Sequence, residues 1–441
     1  KAALAAPRGG AGAQQALSAA FDAAAADGSA DAAPEPGAAP APVANSRLSS
    51  LPPYIFVRRE ALKAQAPDAG HDVIDLGKGS PDLPAPDVAV EAVAKAVRDP
   101  KTHTYPPAAG TPELRAAIAE WYRGRFGVDV DVARGVLPLI GSKEGIAHTL
   151  LAILEPGDGV LMPTPGYPAY ANQITLAGGR PIAMELREED GFLPDFDRLE
   201  AALSEARARG RVRAMILNYP SNPTGAVVPD LAFLQRALDF AKRHDLIVLY
   251  DNAYAEISFD GHDSPTMLQV PGAKEARVIE FHTLSKGWSM AGFRLGFAVG
   301  DPEVIGALAK LKGFFDYGLP AFNQAAAVAA LKDSGDYVAR TRAIYQARRD
   351  VLVAALGAIG WEVRPPKGAM YVWARLPDAA RGMSALEFVE RLIREEGVLI
   401  SPGSAFGPAG EGYVRISLIQ PQERLVEAAA RIARFLARLT P

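Results

Sequence analysis

The protein has 441 residues, a length that predicts two or three folding units rather than one small module. Lys and Arg total 47 against 51 Asp and Glu, so a basic nucleic-acid-binding surface is not expected, and no apolar run is long enough to predict a membrane span. Cysteine is absent, which excludes disulfides, thiolate metal sites and cysteine nucleophiles and favours a cytoplasmic location.

The first 46 residues differ in composition from the rest of the chain. They include 20 Ala and a single aromatic residue, Phe21. Such a segment buries too little apolar surface to offset the entropy of ordering, so residues 1–46 are expected to be a disordered extension. Only the Ala-rich stretch 16–26 favours a helix. Acidic residues outnumber basic ones in this segment, whereas a transit peptide is Arg-rich and poor in acidic residues.

From Arg47 onward, strand-like and helix-like segments alternate, which is typical of an α/β fold with a largely parallel sheet. Short apolar runs predict buried strands, and apolar residues at helical spacing predict helices. The predicted strands cover Val136–Ile140, Val212–Leu217, Leu246–Tyr250 and Val278–Phe281. One predicted helix follows Gly141-Ser142 and runs to Leu154, and another covers Leu231–His244.

Polar side chains follow three of the predicted strands directly. They lie in the segments Asn218–Gly225, Asp251–Tyr254 and Thr283–Lys286. Open parallel sheets bind their ligands at the carboxyl ends of the strands, so these segments mark the predicted site. The six histidines include no pair at i, i+4 spacing, and the sequence therefore predicts no metal site.

The first chemical hypothesis concerns Lys286 and Arg294. A lysine at the mouth of a sheet can form a Schiff base with a carbonyl, and a nearby arginine can hold a phosphate. The hydroxyls of Thr283 and Ser285 can complete that phosphate cradle. Taken alone, however, such a lysine is more often a solvated loop residue, and such an arginine is more often a surface ion-pair partner.

Asp251 follows a buried apolar run, and a buried carboxylate needs a cationic partner. A pyridinium nitrogen is such a partner, and its protonation makes pyridoxal phosphate an electron sink. Tyr254 can reach the phenolic oxygen of the same ring, and Asn222 provides a donor near that oxygen. An isolated aspartate is more often a helix cap or turn residue, so the combination with Lys286 is what favours a cofactor site.

These segments resemble the class I/II aminotransferases of fold type I, over residues 47–441. The resemblance implies pyridoxal 5'-phosphate as the cofactor, with Lys286 as the Schiff-base lysine, and an α/β fold in which a mostly parallel central sheet lies between helices. It also implies a smaller α+β domain. The motifs that carry it occur in the family's order: Asn-Pro-Thr-Gly at 222–225, Asp251 with Tyr254, and Ser285-Lys286 followed by Arg294.

Further positions match the family less specifically. Ser142 and Lys143 resemble a phosphate-binding turn at a helix N-terminus, where backbone N–H groups suit an anion. Tyr167 resembles the aromatic residue that stacks on the pyridine ring. Tyr105 resembles the tyrosine that reaches the phosphate of the neighbouring subunit, which implies a homodimer with this residue contributed across the interface.

The resemblance also identifies candidate substrate contacts. Arg415 matches the arginine that grips the substrate α-carboxylate, because a planar guanidinium binds a carboxylate in bidentate fashion. Gly79 matches a loop glycine whose backbone approaches that carboxylate, although a plain turn glycine is as good an interpretation. Asn222 lies between cofactor and substrate, and Tyr54 occupies a position that contacts substrate in diaminopimelate aminotransferases.

The branch of the family is less well defined than the family itself. The segments 141–148 and 281–286 look most like alanine (glutamate–pyruvate) and LL-diaminopimelate aminotransferases, and Asp316-Tyr317-Gly318 leans toward the alanine enzymes. Diaminopimelate enzymes carry an asparagine where this chain has Ala321. Alanine or glutamate, aspartate and LL-diaminopimelate therefore all stay open as the amino donor.

The implied activity is ping-pong transamination between an α-amino acid and a 2-keto acid, with Lys286 also moving the proton. The implied large cofactor-binding domain covers residues 88–317, and residues 47–87 with 318–441 form the small domain. A β-lyase or synthase of the same fold is the first alternative, because such sites share most of their groups. A regulator with an aminotransferase-like ligand domain is more remote, since the acidic Ala/Pro-rich tail is a poor DNA-binding module.

Overall fold

The structure is a computed structural model that describes residues 43–52, 63 and 72–439. The chain forms two units, Lys1–Ser49 and Ser50–Pro441. The described part of the first unit contains one helical turn, Ser46–Ser49, which Asn45 caps by accepting a hydrogen bond from the Leu48 N–H at 3.0 Å. All other described elements belong to the second unit. Disorder is expected for residues 1–46, and of these residues 1–42, with the helix expected at 16–26, lie outside the described residues.

Seven strands form the largest sheet of the described part of the chain. They are β2 (Val136–Leu139), β3 (Gly159–Thr164), β4 (Arg180–Glu185), β5 (Val212–Asn218), β6 (Ile247–Asp251), β7 (Val278–Thr283) and β8 (Gly296–Gly300). A short strand outside this sheet, β1 (Ile74–Asp75), precedes them in the chain. Their order is β2-β8-β7-β6-β5-β3-β4. Among these seven strands, β8 alone runs in the opposite direction, antiparallel to β2 and β7 on either side. β6 and β7 are buried along their whole length, as expected for strands covered on both faces.

In the described part of the chain, helices alternate with these strands, and three consecutive helices then precede a second set of short strands. Those of eight or more residues are α1 (Asp87–Ala96), α2 (Pro112–Phe126), α3 (Ser142–Ile153), α4 (Ala169–Leu176), α5 (Phe196–Arg207), α6 (Leu231–Arg243), α7 (Pro302–Phe315), α8 (Ala321–Asp333), α9 (Tyr337–Ala358), α10 (Ala385–Glu396) and α11 (Gln422–Leu439). The predicted helices correspond to α3 and α6. Asp230 starts α6 by accepting a hydrogen bond from the Phe233 N–H at 2.9 Å.

A second set of short strands lies in the C-terminal part of the chain. β9 (Tyr371–Arg375), β11 (Ser401–Pro402) and β12 (Tyr413–Ser417) form an antiparallel sheet, and β10 (Val398–Leu399) pairs in parallel with β1. Their buried side chains share one hydrophobic cluster with α9, α10 and α11. β1 therefore joins residues near the start of the described chain to its C-terminal elements.

The packing of α8 bears on the predicted domain boundaries. Ala326, Ala327 and Ala330 of α8 are buried in the hydrophobic cluster that also contains Ala89 of α1 and Leu114 of α2. α8 thus packs on elements that precede the large sheet, although it follows residue 318. The division into 88–317 and the two flanking segments stays a prediction.

No helix in the described part of the chain combines the length and apolar character needed to cross a membrane.

Candidate active site

A cavity of about 310 Å³ lies where β5, β6 and β7 end. It brings together most of the residues that the sequence predicts for the site. The predicted residues that line it are Gly79, Ser142, Lys143, Tyr167, Asn222, Asp251, Tyr254, Thr283, Ser285, Lys286, Arg294 and Arg415; Lys78, Ser80, Gly141, Asn218, Ala253, Ala291 and Tyr371 complete the lining.

Lys286 lies in a short helical turn, Leu284–Gly287, directly after β7. Thr283 caps this turn through its side-chain oxygen, which accepts a hydrogen bond from the Ser285 N–H at 3.1 Å. The Lys286 ammonium donates a hydrogen bond to the Gly79 carbonyl oxygen at 2.5 Å. Burial lowers the pKa of Lys286 from its ordinary value, because a buried site disfavours the charged amine.

Asp251 is the last residue of β6 and is 6% exposed. Its Oδ2 accepts a hydrogen bond from the Tyr170 hydroxyl at 2.6 Å, while Oδ1 has no hydrogen-bond partner of ordinary geometry among the described residues. Burial raises the pKa of Asp251 to about 6. A buried carboxylate oxygen without a partner, on a residue that lines a cavity, fits a cationic or donating group of a bound molecule.

Arg415, in β12, is held from several sides. Its Nη1 donates to Asn222 Oδ1 at 2.9 Å and its Nη2 donates to the Gly77 carbonyl oxygen at 3.0 Å. The guanidinium lies 4.1 Å from the ring centre of Tyr371 and 4.7 Å from that of Phe406. Burial lowers the pKa of Arg415 from its ordinary value, but a guanidinium stays charged at neutral pH. The result is a fixed cation in the cavity wall.

Tyr254 and Tyr371 contact each other in the cavity wall. Their hydroxyl oxygens lie 2.8 Å apart, and both side chains are buried. Burial raises the pKa of Tyr254, so the phenol keeps its proton. A Cβ on Gly79 would stand only 2.5 Å from the Tyr371 hydroxyl. Gly79 is therefore required by this close approach rather than by a turn conformation.

The opposite end of the cavity combines a helix start with an arginine. α3 begins at Ser142, and Gly141 before it has φ 84° and provides no side-chain cap. A Cβ on Gly141 would stand 2.8 Å from Arg294 Nη2. Uncapped backbone N–H groups next to a guanidinium suit a phosphate. The Thr283 hydroxyl is 3.0 Å from the Leu295 carbonyl oxygen and 2.9 Å from Ser285 Oγ.

The remaining predicted residues differ in where they lie. Tyr167 packs edge-on against Tyr170, with ring centres 5.5 Å apart. Tyr105 is 88% exposed, does not line the cavity, and contacts the ring of Tyr317 at 5.5 Å. Tyr54 lies outside the described residues.

One polar cluster near α3 has the composition of a metal site. Glu144, His148 and Asp316 bring potential ligand atoms within 4.8 Å of one another. The ammonium of Lys312, which is completely buried, lies 2.9 Å from both carboxylates. A fixed cation therefore already balances these acids and ties α3 to the end of α7.

Comparison with known proteins places this cavity in a family. The sequence profile of the class I and II aminotransferases matches residues 71–432. The chain belongs to this family. An LL-diaminopimelate aminotransferase from Desulforudis audaxviator is 45% identical over 394 residues, which are 89% of this chain and 98% of that protein. This aminotransferase is therefore a pyridoxal-phosphate-dependent enzyme that moves an amino group between an α-amino acid and a 2-keto acid.

Solved structures agree with this assignment and with fold type I. Substrate-bound BacF from Bacillus subtilis is 35% identical, with a TM-score of 0.84, and the match covers 90% of this chain and 98% of that one. A probable N-succinyldiaminopimelate aminotransferase from Thermus thermophilus is 40% identical, with a TM-score of 0.79, covering 86% and 100%. The predicted family, fold class and cofactor are thus confirmed.

The cavity of the aminotransferase fits pyridoxal phosphate on its own chemistry. The unpartnered Asp251 Oδ1 suits the ring nitrogen, and the Lys286 amine suits the carbonyl carbon. The uncapped start of α3 and the Arg294 guanidinium beside Gly141 suit the phosphate. Each functional group of the cofactor therefore has a chemically matching group in the cavity lining.

Sequence analysis did not identify three residues that the structure brings to this site. Tyr170 contacts Asp251, and Tyr371 and Phe406 contact Arg415. Tyr170 lies within an otherwise ordinary helical pattern. Tyr371 and Phe406 belong to elements far along the chain, and no spacing in the sequence links them to Lys286.

Proposed function

We propose that Lys286 binds pyridoxal 5'-phosphate covalently and catalyses transamination of an amino acid whose α-carboxylate binds Arg415. The observation that carries the proposal is that Lys286, Asp251 and Arg415 all line one cavity. Charged groups that are largely removed from water are costly, and three of them around one cavity are best explained by the ligand charges that they balance.

The other cavity residues have roles that follow from their chemistry. Asp251 pairs with the ring nitrogen, Tyr254 and Asn222 donate to the ring oxygen, and Tyr167 stacks on the ring. The phosphate is held at the start of α3 by the backbone of Ser142 and Lys143, by Arg294, and by Ser285. Thr283 supports that end, because its hydroxyl already contacts Leu295 and Ser285. Gly79 presents its carbonyl oxygen beside Lys286 and the substrate.

The chain's own groups perform the proton transfers. The bound cofactor supplies an electron-accepting ring that stabilises negative charge developing at the substrate Cα. Arg415 fixes the α-carboxylate, which orients Cα toward Lys286. Because burial lowers the pKa of Lys286, its released amine is a suitable base for the Cα proton. Asp251 keeps the ring nitrogen protonated in the transition state.

We infer that the amino donor carries a second, distal carboxylate. Lys78 and Lys143 line the cavity in addition to Arg415, so a second anionic group can be balanced there. The relatives named above include enzymes that act on diaminopimelate or its N-succinyl derivative, according to their names. LL-diaminopimelate is therefore the first candidate, and glutamate and aspartate follow.

The test is a panel of amino donors with 2-oxoglutarate and pyruvate as acceptors, run on three lysine variants. Lys78→Ala and Lys143→Ala are expected to lower kcat/KM for the dicarboxylic donor by about 30-fold or more, with a much smaller loss for alanine. Lys95→Ala, an exposed lysine of α1, is the control. Equal losses for alanine would favour a small neutral donor and assign these lysines to the cofactor or the fold.

The proposal includes a homodimer in which Tyr105 serves the partner subunit's cofactor. Tyr105 is exposed, and the exposed rings of Phe314, Phe315 and Tyr317 lie in the nearby chain segment at the end of α7. A cluster of exposed aromatic side chains is typical of a protein interface. The cytoplasmic location stays a prediction from the cysteine-free composition.

A further inference from the structure

Tyr371, the first residue of β9, contacts several groups of the site and has no role in the function proposed above. It is 1% exposed. Its hydroxyl oxygen lies 2.8 Å from that of Tyr254, and the guanidinium of Arg415 lies 4.1 Å from its ring centre. The same hydroxyl would lie 2.5 Å from a Cβ on Gly79. One side chain therefore touches the cofactor-binding phenol, the carboxylate-binding arginine and the loop that meets Lys286.

We propose that Tyr371 is a positioning residue with two separable functions. Its hydroxyl donates to Tyr254 and so directs the Tyr254 proton to the ring oxygen of the cofactor. Its ring holds the Arg415 guanidinium in place for the substrate carboxylate. The inference rests on the proposed function, in which Tyr254 and Arg415 contact cofactor and substrate.

The first function follows from counting protons. Each phenol has one hydroxyl proton. If Tyr254 donates its proton to the cofactor, the oxygen–oxygen contact at 2.8 Å requires Tyr371 to be the donor to Tyr254. A phenol that accepts a hydrogen bond is a stronger donor, because hydrogen bonds in a chain polarise one another. Without the Tyr371 hydroxyl, Tyr254 can keep its position but donates more weakly.

The second function follows from the surroundings of Arg415. Its two terminal nitrogens donate to Asn222 and to the Gly77 carbonyl oxygen. These hydrogen bonds fix the orientation of the guanidinium plane. The guanidinium carbon lies over the Tyr371 ring, 4.1 Å from the ring centre. A desolvated cation–π contact is stronger than an exposed one, so the ring contributes to keeping this cation in the cavity wall.

The hydroxyl function predicts a spectroscopic change in the resting holoenzyme. Visible absorption of the cofactor changes with pH when the lysine–cofactor linkage loses its proton. After the linkage has lost its proton, the negative charge on the ring oxygen is stabilised by the remaining hydrogen-bond donors. A weaker Tyr254 donor therefore makes the loss of this proton less favourable. Tyr371→Phe is therefore expected to raise the pH midpoint of this absorption change by about 0.4 to 1 pH unit. Titratable groups that face Lys286 and Tyr254 are Asp251, Tyr167, Arg294, Arg415 and Tyr371.

Tyr345→Phe is the matched control. Tyr345 is buried in the same hydrophobic cluster as Tyr371, and its hydroxyl has no hydrogen-bond partner among the described residues. Tyr345→Phe removes one hydroxyl from the same cluster without removing a contact to Tyr254. The midpoint of this variant is expected to equal that of the wild type.

The ring function is measured by binding of propionate, a carboxylate that cannot be transaminated. Calorimetric titration of the holoenzyme, at a pH well below the midpoints of both proteins, is expected to give an unchanged dissociation constant for Tyr371→Phe, which keeps the ring. Tyr371→Leu is expected to weaken propionate binding by about 3- to 10-fold. Circular dichroism and the melting temperature of each variant show whether it is folded, and the Tyr371→Phe midpoint decides the hydroxyl function if Tyr371→Leu does not fold.

A Tyr371→Phe midpoint indistinguishable from that of the wild type, or an equal shift in Tyr345→Phe, would overturn the hydroxyl function. Propionate binding that Tyr371→Leu leaves unchanged would overturn the ring function. Failure of the proposed function gives a different result, because a holoenzyme in which Lys286 does not bind the cofactor would show no pH-dependent visible absorption from that linkage in the wild type itself.

Discussion

Individual side chains of the site are held by contacts that leave one functional atom free. Asp251 uses Oδ2 for the Tyr170 hydroxyl, and Oδ1 has no such partner among the described residues. The Nη1 and Nη2 of Arg415 bind Asn222 and Gly77, while its buried Nε makes no hydrogen bond within the described part. Orientation is thus fixed before a ligand arrives, which reduces the entropy lost on binding.

Lys286→Ala is expected to abolish multiple-turnover transamination and to leave the cofactor bound only non-covalently. The reason is that one amine at this position is assigned both the covalent bond and the proton transfer. Borohydride reduction followed by denaturation will measure the covalent cofactor, and Lys286→Arg controls for loss of charge alone. A Lys286→Ala enzyme with turnover close to wild type would contradict the assignment.

The pKa of Asp251 predicts how the cofactor-free protein responds to pH. Burial raises this pKa from 3.8 to about 6 in the folded state, so the folded state binds the proton more tightly than the unfolded state does. The carboxyl therefore lowers the free energy of unfolding as pH rises from about 4 to 6. Asp251→Asn removes this effect, and its stability relative to wild type should increase by about 2 kcal/mol between pH values of about 4.5 and 7.

Urea unfolding of both cofactor-free proteins at these two pH values measures the difference. Parallel pH dependences for wild type and Asp251→Asn would show that the folded-state pKa of this carboxyl is not raised.

At the scale of secondary structure, the start of α3 controls the phosphate end of the cavity. Gly141 combines φ 84° with ψ 154°, a backbone conformation that is essentially restricted to glycine. It also faces Arg294 at a distance that leaves no room for a methyl group. Both the conformation and the close approach require glycine at this position.

Gly141→Ala is expected to destabilise the protein by about 1–3 kcal/mol and to weaken pyridoxal phosphate binding at least about 10-fold, because the methyl group displaces Arg294. Gly127→Ala is the control, since Gly127 also has positive φ, at the end of α2, but a Cβ there meets no atom within 4 Å. That variant should lose about 1 kcal/mol of stability with unchanged cofactor affinity. Equal cofactor losses in both variants would indicate a general effect of instability.

Sequence patterns predicted the elements that carry the site to within a few residues. The runs at 212–217, 246–250 and 278–281 correspond to β5, β6 and β7, because buried parallel strands are uninterrupted apolar segments. The antiparallel direction of β8 was not predictable, since an apolar run shows that a strand is buried but not its direction. Tyr371 was missed for a related reason: pairing of β9 with β12 is long-range information.

At the scale of the whole molecule, deletion of residues 1–46 is expected to leave activity and melting temperature nearly unchanged. A segment with so few large apolar side chains can bury little surface. Differential scanning calorimetry and steady-state kinetics of the truncated and full chains test this. A drop of several degrees in melting temperature would show that the segment packs on the rest of the protein.

Mixing two inactive variants tests the contribution of Tyr105 across a dimer. Tyr105→Ala and Lys286→Ala protomers that exchange should form hybrid dimers with one site carrying both defects and one carrying neither. Activity per hybrid dimer should approach half that of the wild type. Subunit exchange demonstrated by mass spectrometry without return of activity would mean that Tyr105 acts within its own chain or not at all.

The antiparallel pairing of β7 with β8 has a consequence for redesign of the enzyme. Thr283 pairs with Gly296, so the segment that carries Lys286 and Arg294 begins and ends at two adjacent points of the sheet. Such a segment can be varied as one unit, provided that a replacement matches the short end-to-end distance and keeps Leu284, Trp288 and Met290, which are buried in the same hydrophobic cluster as Leu114 of α2. Insertions inside it would change the separation of lysine and arginine, whereas replacement at equal length keeps it. Libraries that vary this segment around its buried side chains can therefore explore new chemistry on the same scaffold.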